Sequence, residues 1–361
     1  MLALNFDFFK TKDSEICIKN YILNKTKYTF QFSILIIALL FFVMLNISLG
    51  SVSIPFKEVF MILTGNDVTS NFKFIILNLR VPKALTAIMV GSGLSVSGLL
   101  MQTLFRNPLA GPFVLGISSG ASLGVAILIL GSSLFGFSAF AVSNYSTAIA
   151  SSFGAFSVLL AVMIVAQKVK NTMSILIIGL MFGSLTTAII SILAYFSSAE
   201  ELQQYMFWSF GNLGNLSWNE LTLFFIVYII AISSIIFIIK PLNSLLLGEN
   251  YAQSLGVNIK KTRNITLFIT AMLTGVITAF SGPIAFVGLA VPHLAKLVFN
   301  SSNHKTLLPA TAIIGAIVML FSDIIAQLPN SAFTLPINAI TSFFGAPIVI
   351  WLLIRKSKIV L

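Results

Sequence analysis

From residue 30 onward the chain alternates long apolar runs with short polar interruptions. The length of the runs, rather than any strict alternation, predicts helices. A bilayer hydrocarbon core of about 30 Å needs ~20 apolar residues per helix. Ten runs meet or approach that length: 30–50, 84–105, 114–131, 148–166, 174–196, 218–239, 266–279, 288–299, 307–326 and 337–354. The seventh and eighth are short and flank FSGPIAFVG. The interruptions leave no room for a soluble domain. The pattern therefore predicts an all-α polytopic membrane protein, with one transmembrane domain over 30–356 preceded by a polar tail, 1–29. The tail has no early apolar core and no A-x-A cleavage site, so it is not expected to be a secretory leader.

Composition agrees. The 361 residues are 57% hydrophobic and only 9% charged, with a mean hydropathy of +1.01, where soluble domains carry about 25% charged residues. The net charge of +11 raises nucleic acid as a partner, but no basic cluster with interleaved aromatics lies outside the short loops. The distribution of Lys and Arg has another cause. With the N-terminus in the cytoplasm, seventeen of the twenty-one fall inside and only Lys57, Lys73, Arg80 and Lys83 outside. That asymmetry follows the positive-inside rule and predicts both termini cytoplasmic.

Candidate chemistry is sparse. Asp323 is the one acid well within a run, near its outer end. An ion-coupled carrier or an intramembrane enzyme calls for ionisable groups deep in the spans. One cysteine, Cys17, and two histidines, His293 and His304, have no metal-site spacing. No GxxxxGK[ST] phosphate loop is present, so an ATPase, if one powers this chain, is a separate protein. No catalytic, metal or cofactor site is expected.

Three stretches depart from plain apolar helix. GSGLSVSG (91–98), GISSGASLG (116–124) and GLMFG (179–183) place small residues at helical spacing, which lets helix backbones approach in lipid. In RNPLAGP (106–112) two prolines end the second run in a tight inner turn. The segment 240–263, KPLNSLLLGENYAQSLGVNIKKTR, reads as two short helices about a glycine break, with Leu246, Ala252 and Leu255 on an apolar face. Such a face lies on lipid or docks in a partner's groove.

The block RVPKALTAIMVGSGLSVSGLLMQTLFRNPLAGPFVLGISSGASLG resembles the signature of permease subunits from bacterial iron-siderophore, haem and cobalamin ABC importers. LLLGENYAQSLGV, SGPIAFVGLAVPHLAKLV and LPINAITSFFGAPIVIWLL match three further blocks of that family in order. The resemblance implies a type II ABC importer permease fold in the bacterial inner membrane. It implies a second permease subunit, identical or paralogous, two ATPase subunits below and a periplasmic or lipid-anchored substrate-binding protein above. The implied cargo is a metal chelate, an iron-siderophore first, with cobalamin or haem as alternatives. By the same resemblance, coupling helices at about 243–260 present Leu247, Gly248, Glu249, Ala252, Leu255 and Gly256 to the ATPase. Arg80 and Lys83 meet acids on the binding protein, Thr172 and Met173 form the cytoplasmic gate, and Arg106, Asn107 and Pro108 support it. His293 is a packed histidine. The chain departs from the family pattern at Gly111, where an acid is usual, and at Gln327, where some members carry arginine. It departs again at Thr334 and Asn338, which replace the acid and glycine of acid-Leu-Pro-x-Gly.

Overall fold

The computed structural model describes residues 12–65, 70–132, 143–169, 172–214, 216–327 and 333–354. The helices among them are α1 (Lys12–Ser48), α2 (Phe56–Leu63), α3 (Ser70–Ile75), α4 (Val81–Phe105), α5 (Ile117–Ile129), α6 (Asn144–Lys168), α7 (Thr172–Phe196) and α8 (Ala199–Ser209). They continue with α9 (Trp218–Ser234), α10 (Ile239–Leu245), α11 (Glu249–Ser254), α12 (Ile259–Ser281), α13 (Val287–Phe299), α14 (His304–Ala326) and α15 (Ile337–Ile354). Seven helical stretches are long and apolar enough to cross a membrane, and three shorter apolar helices, 117–129, 287–299 and 337–351, complete the ten that the sequence predicts.

Three boundaries differ from the expectation. α1 runs through the polar segment from Lys12 without interruption. No glycine or proline lies between 12 and 48, so nothing opposes propagation of the helix out of the apolar run. The second span begins near Phe72 rather than at residue 84. A π turn over Ile76–Arg80 joins α3 to α4, and Pro82, which has no N–H to give, sits just beyond it. The predicted first coupling helix is the tail of the sixth span. Helical structure runs from Trp218 to Leu245 through a 3₁₀ turn at Ile235–Ile238, so α11 is the one separate short helix of the segment.

Nearly all of α4 is buried, and it packs against α12, α13 and α14. Its small residues explain the approach. A methyl group placed on Gly98 would lie 1.5 Å from the Gly288 carbonyl oxygen of α13, and one on Gly91 would lie 2.2 Å from the Gly315 carbonyl of α14. The second glycine stripe serves α5 in the same way, with Gly124 against the Ala150 carbonyl of α6. The third serves α7, where Gly179 meets Val114 of the 3₁₀ turn before α5. Backbones this close leave no room for a side chain. Gly98→Ala is therefore expected to lower the thermal midpoint in detergent by an overpacking cost of ~1–3 kcal/mol. Gly275→Ala, whose added methyl meets only Ala155 at 3.7 Å, should leave the midpoint unchanged. Equal behaviour of the two variants would refute the backbone-contact account.

The FSGPIAFVG break joins α12 to α13 through Gly282 (φ 73°) and Phe286 (φ 66°). The Ala285 N–H donates to Asn338 Oδ1 at 3.1 Å, and the Asn338 N–H donates to the Phe210 carbonyl at 3.2 Å. The asparagine that replaces a family glycine thus satisfies a backbone donor of the break, a role a glycine side chain cannot perform.

Candidate functional site

At its C-terminal end α4 stops at Arg106, which takes the left-handed conformation (φ 47°). The Asn107 N–H returns to the Gln102 carbonyl at 3.2 Å, and Asn107 Oδ1 accepts from the Leu109 N–H at 2.9 Å. Pro108 presents its carbonyl to His293 Nε2 of α13 at 2.8 Å, and Gln102 Nε2 donates to the Leu289 carbonyl at 3.1 Å. The RNPLAGP turn is thereby strapped to α13 by side chains of both elements. His293 is half-buried and joins α13 to the turn.

The 240–263 segment lies beside this turn. Gly248 (φ 111°) and Gly256 (φ 81°) bracket α11 in conformations that a side chain disfavours. Arg106 reaches it: a methyl group on Gly248 would be 3.8 Å from Arg106 Nη1. Leu247 and Leu255 are 65% and 56% exposed, and Tyr251 is exposed between them. They form an apolar edge outside the membrane-crossing helices. Ala252 does not belong to that edge. It is fully buried, and its methyl seats α11 on the body of the protein instead of facing outward. Glu249, half-buried, opens the helix.

At the N-terminal end of α4, Arg80 is 8% exposed. Its Nη1 donates to the carbonyls of Ile47 and Ser48 at 2.7 and 2.8 Å, and its Nη2 to the carbonyl of Val52. The guanidinium ties off the end of α1 and is largely buried there, where the resemblance implies a contact with a binding protein. Arg80 is the last residue of the π turn, and its guanidinium meets the last carbonyls of α1, which a helix end leaves without intrahelical donors. Lys83 Nζ pairs with Asp323 Oδ1 at 3.0 Å, with the lysine side chain 20% exposed. The other carboxylate oxygen, Oδ2, accepts from Asn46 Nδ2 at 2.8 Å and Gln327 Nε2 at 2.6 Å. Asp323 therefore joins α1, α4 and α14. The sequence marked it as a lone acid in an apolar run but offered no sign of these partners.

α7 begins at the predicted gate residue Thr172, and Met173 is exposed. Residues 170 and 171 of the same turn lie outside the described residues. Glu201 and Glu220 close capping boxes with Ser198 and Ser217 at the starts of α8 and α9. Among the described residues no three His, Cys, Asp or Glu side chains come together as a metal site.

The described residues thus form a polytopic bundle of ten apolar helices, one of them the buried glycine-rich α4, with an apolar edge held outside them. The FecCD transport family model matches residues 38–355. The chain is 35% identical over 293 residues to the vitamin B12 import system permease protein BtuC of Klebsiella pneumoniae, covering 81% of this chain and 86% of that protein. It is 33% identical over 300 residues to the protein of the same name from Salmonella arizonae, covering 81% and 87%. A solved structure described as an inward-facing conformation of a metal-chelate type ABC transporter superposes with a TM-score of 0.79 at 29% identity, over 91% of this chain and 99% of that one. The chain belongs to the FecCD transport family.

Proposed function

We propose that this chain is the permease subunit of an ATP-binding-cassette importer that moves a metal chelate across the bacterial inner membrane by alternating access. It makes and breaks no covalent bond. The observation that carries this reading is the apolar edge Leu247–Tyr251–Leu255, held outside the membrane-crossing helices by two positive-φ glycines, in a chain with no phosphate loop. An exposed edge of this kind needs a partner's cleft to bury it, and a separate ATPase provides one. The loaded binding protein and ATP then favour opposite facing states, and their differential affinity shifts the population between them.

Lys83 is the residue of the outer basic pair with access to a binding protein, and Arg80 shapes that surface from beneath. Thr172 and Met173, at the start of α7, are the gate in this reading, with the strapped Arg106–Pro108 turn behind them. The second permease subunit is another copy or a paralogue. For the cargo we adopt an iron-siderophore. The names of the relatives favour cobalamin as the second reading.

Purification of the tagged chain from its own cells in mild detergent tests the class. A phosphate-loop ATPase should co-purify, and mass spectrometry of the same sample identifies the second permease. An intact, monodisperse chain without an ATPase would overturn the reading. Uptake of ferric siderophore against cyanocobalamin by the reconstituted complex then separates the two cargoes.

A further inference from the structure

A string of side-chain hydrogen bonds runs from the surface into the buried end of α4 and passes through two residues that no motif marks. Asn303 caps α14, with Oδ1 accepting from the Lys305 N–H at 3.0 Å. The same Oδ1 accepts from Asn243 Nδ2 of α10 at 3.0 Å. Asn243 Oδ1 lies 2.9 Å from the His304 backbone nitrogen and 2.7 Å from His304 Nδ1. His304 is 1% exposed, and its Nε2 lies 2.8 Å from Thr103 Oγ1 on α4.

The proton positions follow from one backbone group. The Lys305 N–H makes Asn303 Oδ1 an acceptor, so the Asn243 atom facing it is the amide NH₂. The Asn243 oxygen must then face His304, where it accepts from the backbone N–H and from Nδ1–H, while Nε2 lies against the Thr103 hydroxyl, which also donates to the Leu99 carbonyl of its own helix at 2.9 Å. Asn243 thus grips the first turn of α14 at three points, and the ring extends that grip to α4. A 3₁₀ turn at Ile235–Ile238 separates α10 from α9, and such a turn inside a helix is a place where the chain can bend. α10 is therefore fastened to α14 and α4 by directional bonds, and joined to α9 by the softer connection. Apolar contacts are non-directional and tolerate sliding. Hydrogen bonds weaken steeply when misaligned.

We propose that Asn243 and His304 are positioning residues that carry displacement of the coupling segment into α4 and α14, so that closure of the ATPase moves both helices as one body. The inference rests on the reading of this chain as an ATP-driven importer. It adds the route by which motion enters the bundle.

The test uses the assembled complex of permease, ATPase and binding protein in liposomes. Cyanocobalamin and a ferric siderophore serve as probes, and the one that the unsubstituted complex imports is followed. Thr103→Val keeps the shape and removes the hydroxyl. His304→Asn keeps a donor near the Nδ1 position and removes Nε2. Both are expected to retain the ATPase and its basal hydrolysis but to import about tenfold less cargo per ATP, within the ~5–150-fold span of ordinary coupling between sites. Thr103→Ser should restore the ratio. A purely structural network would lower thermal midpoints while leaving cargo per ATP at the unsubstituted value, and that result would overturn the proposal. If His304→Asn does not assemble, the Val and Ser variants at Thr103 decide alone. If the unsubstituted complex retains no ATPase, the importer reading itself has failed, and this inference with it.

Discussion

Leu255→Glu is expected to leave the chain folded and monodisperse in detergent while removing the ATPase from the purified complex. Leu255 is 56% exposed and belongs to none of the membrane-crossing helices, so a carboxylate there costs the isolated permease little. In a docked complex the same side chain enters a partner's cleft. Burying an unpaired charge there costs several kcal/mol, and each 1.4 kcal/mol is tenfold in affinity, so retention falls by at least ~100-fold. Leu247→Glu should behave alike, because Leu247 lies on the same exposed edge. Asn250→Glu, an exposed polar position in the same helix, is the control and should co-purify normally. The measurement is the molar ratio of ATPase to permease after size exclusion. Normal ratios in both leucine variants would place the docking surface elsewhere.

The second large effect concerns the N-terminal end of α4. Asp323→Ala leaves three donors without their acceptor: Lys83 Nζ, Asn46 Nδ2 and Gln327 Nε2. Removing one partner of a buried ion pair costs ~3–5 kcal/mol. Lys83 keeps some access to solvent, so we expect a loss of about 3 kcal/mol, at the lower end of that range. The thermal midpoint should drop accordingly. In the double variant Lys83→Met with Asp323→Ala no charge is stranded, and the charge part of the loss should be recovered, while the Asn46 and Gln327 amides still lack that acceptor. Additive losses in the double variant would show that the two side chains do not act as a pair, because coupled residues give a non-additive cycle.

Much of the architecture was legible because lipid imposes a coarse code. A span must be long and apolar, and positive charge stays inside. The run of ten apolar segments is therefore visible to residue counting, and the glycine stripes announce helix faces that meet closely. Boundaries were less legible. The second span starts ahead of its apolar run, at Phe72, because Asn78, Arg80 and Pro82 interrupt the run without ending the helix. A π turn absorbs the proline, and the end of α1 absorbs the arginine. The site was legible only in part. The GENYAQSLG stretch pointed to the coupling segment, but which face of it is open cannot be read from letters. Ala252 and Leu255 look alike in sequence, yet one is fully buried and the other exposed.

The sequence by itself determined the class of solvent, the number of apolar helices, the small-residue faces on which helices pack closely and the absence of a phosphate loop. Each of these follows from local composition and spacing. Only the tertiary structure decided what the few polar side chains do. Asp323 gathers donors from α1, α4 and α14. Arg80 turns inward to the carbonyls of α1. His304 and Asn243, 61 residues apart, meet at the C-terminal end of α4. A buried polar group in an apolar bundle must find a partner or lose several kcal/mol. That partner is chosen by packing between helices distant in sequence, so no local pattern reports it.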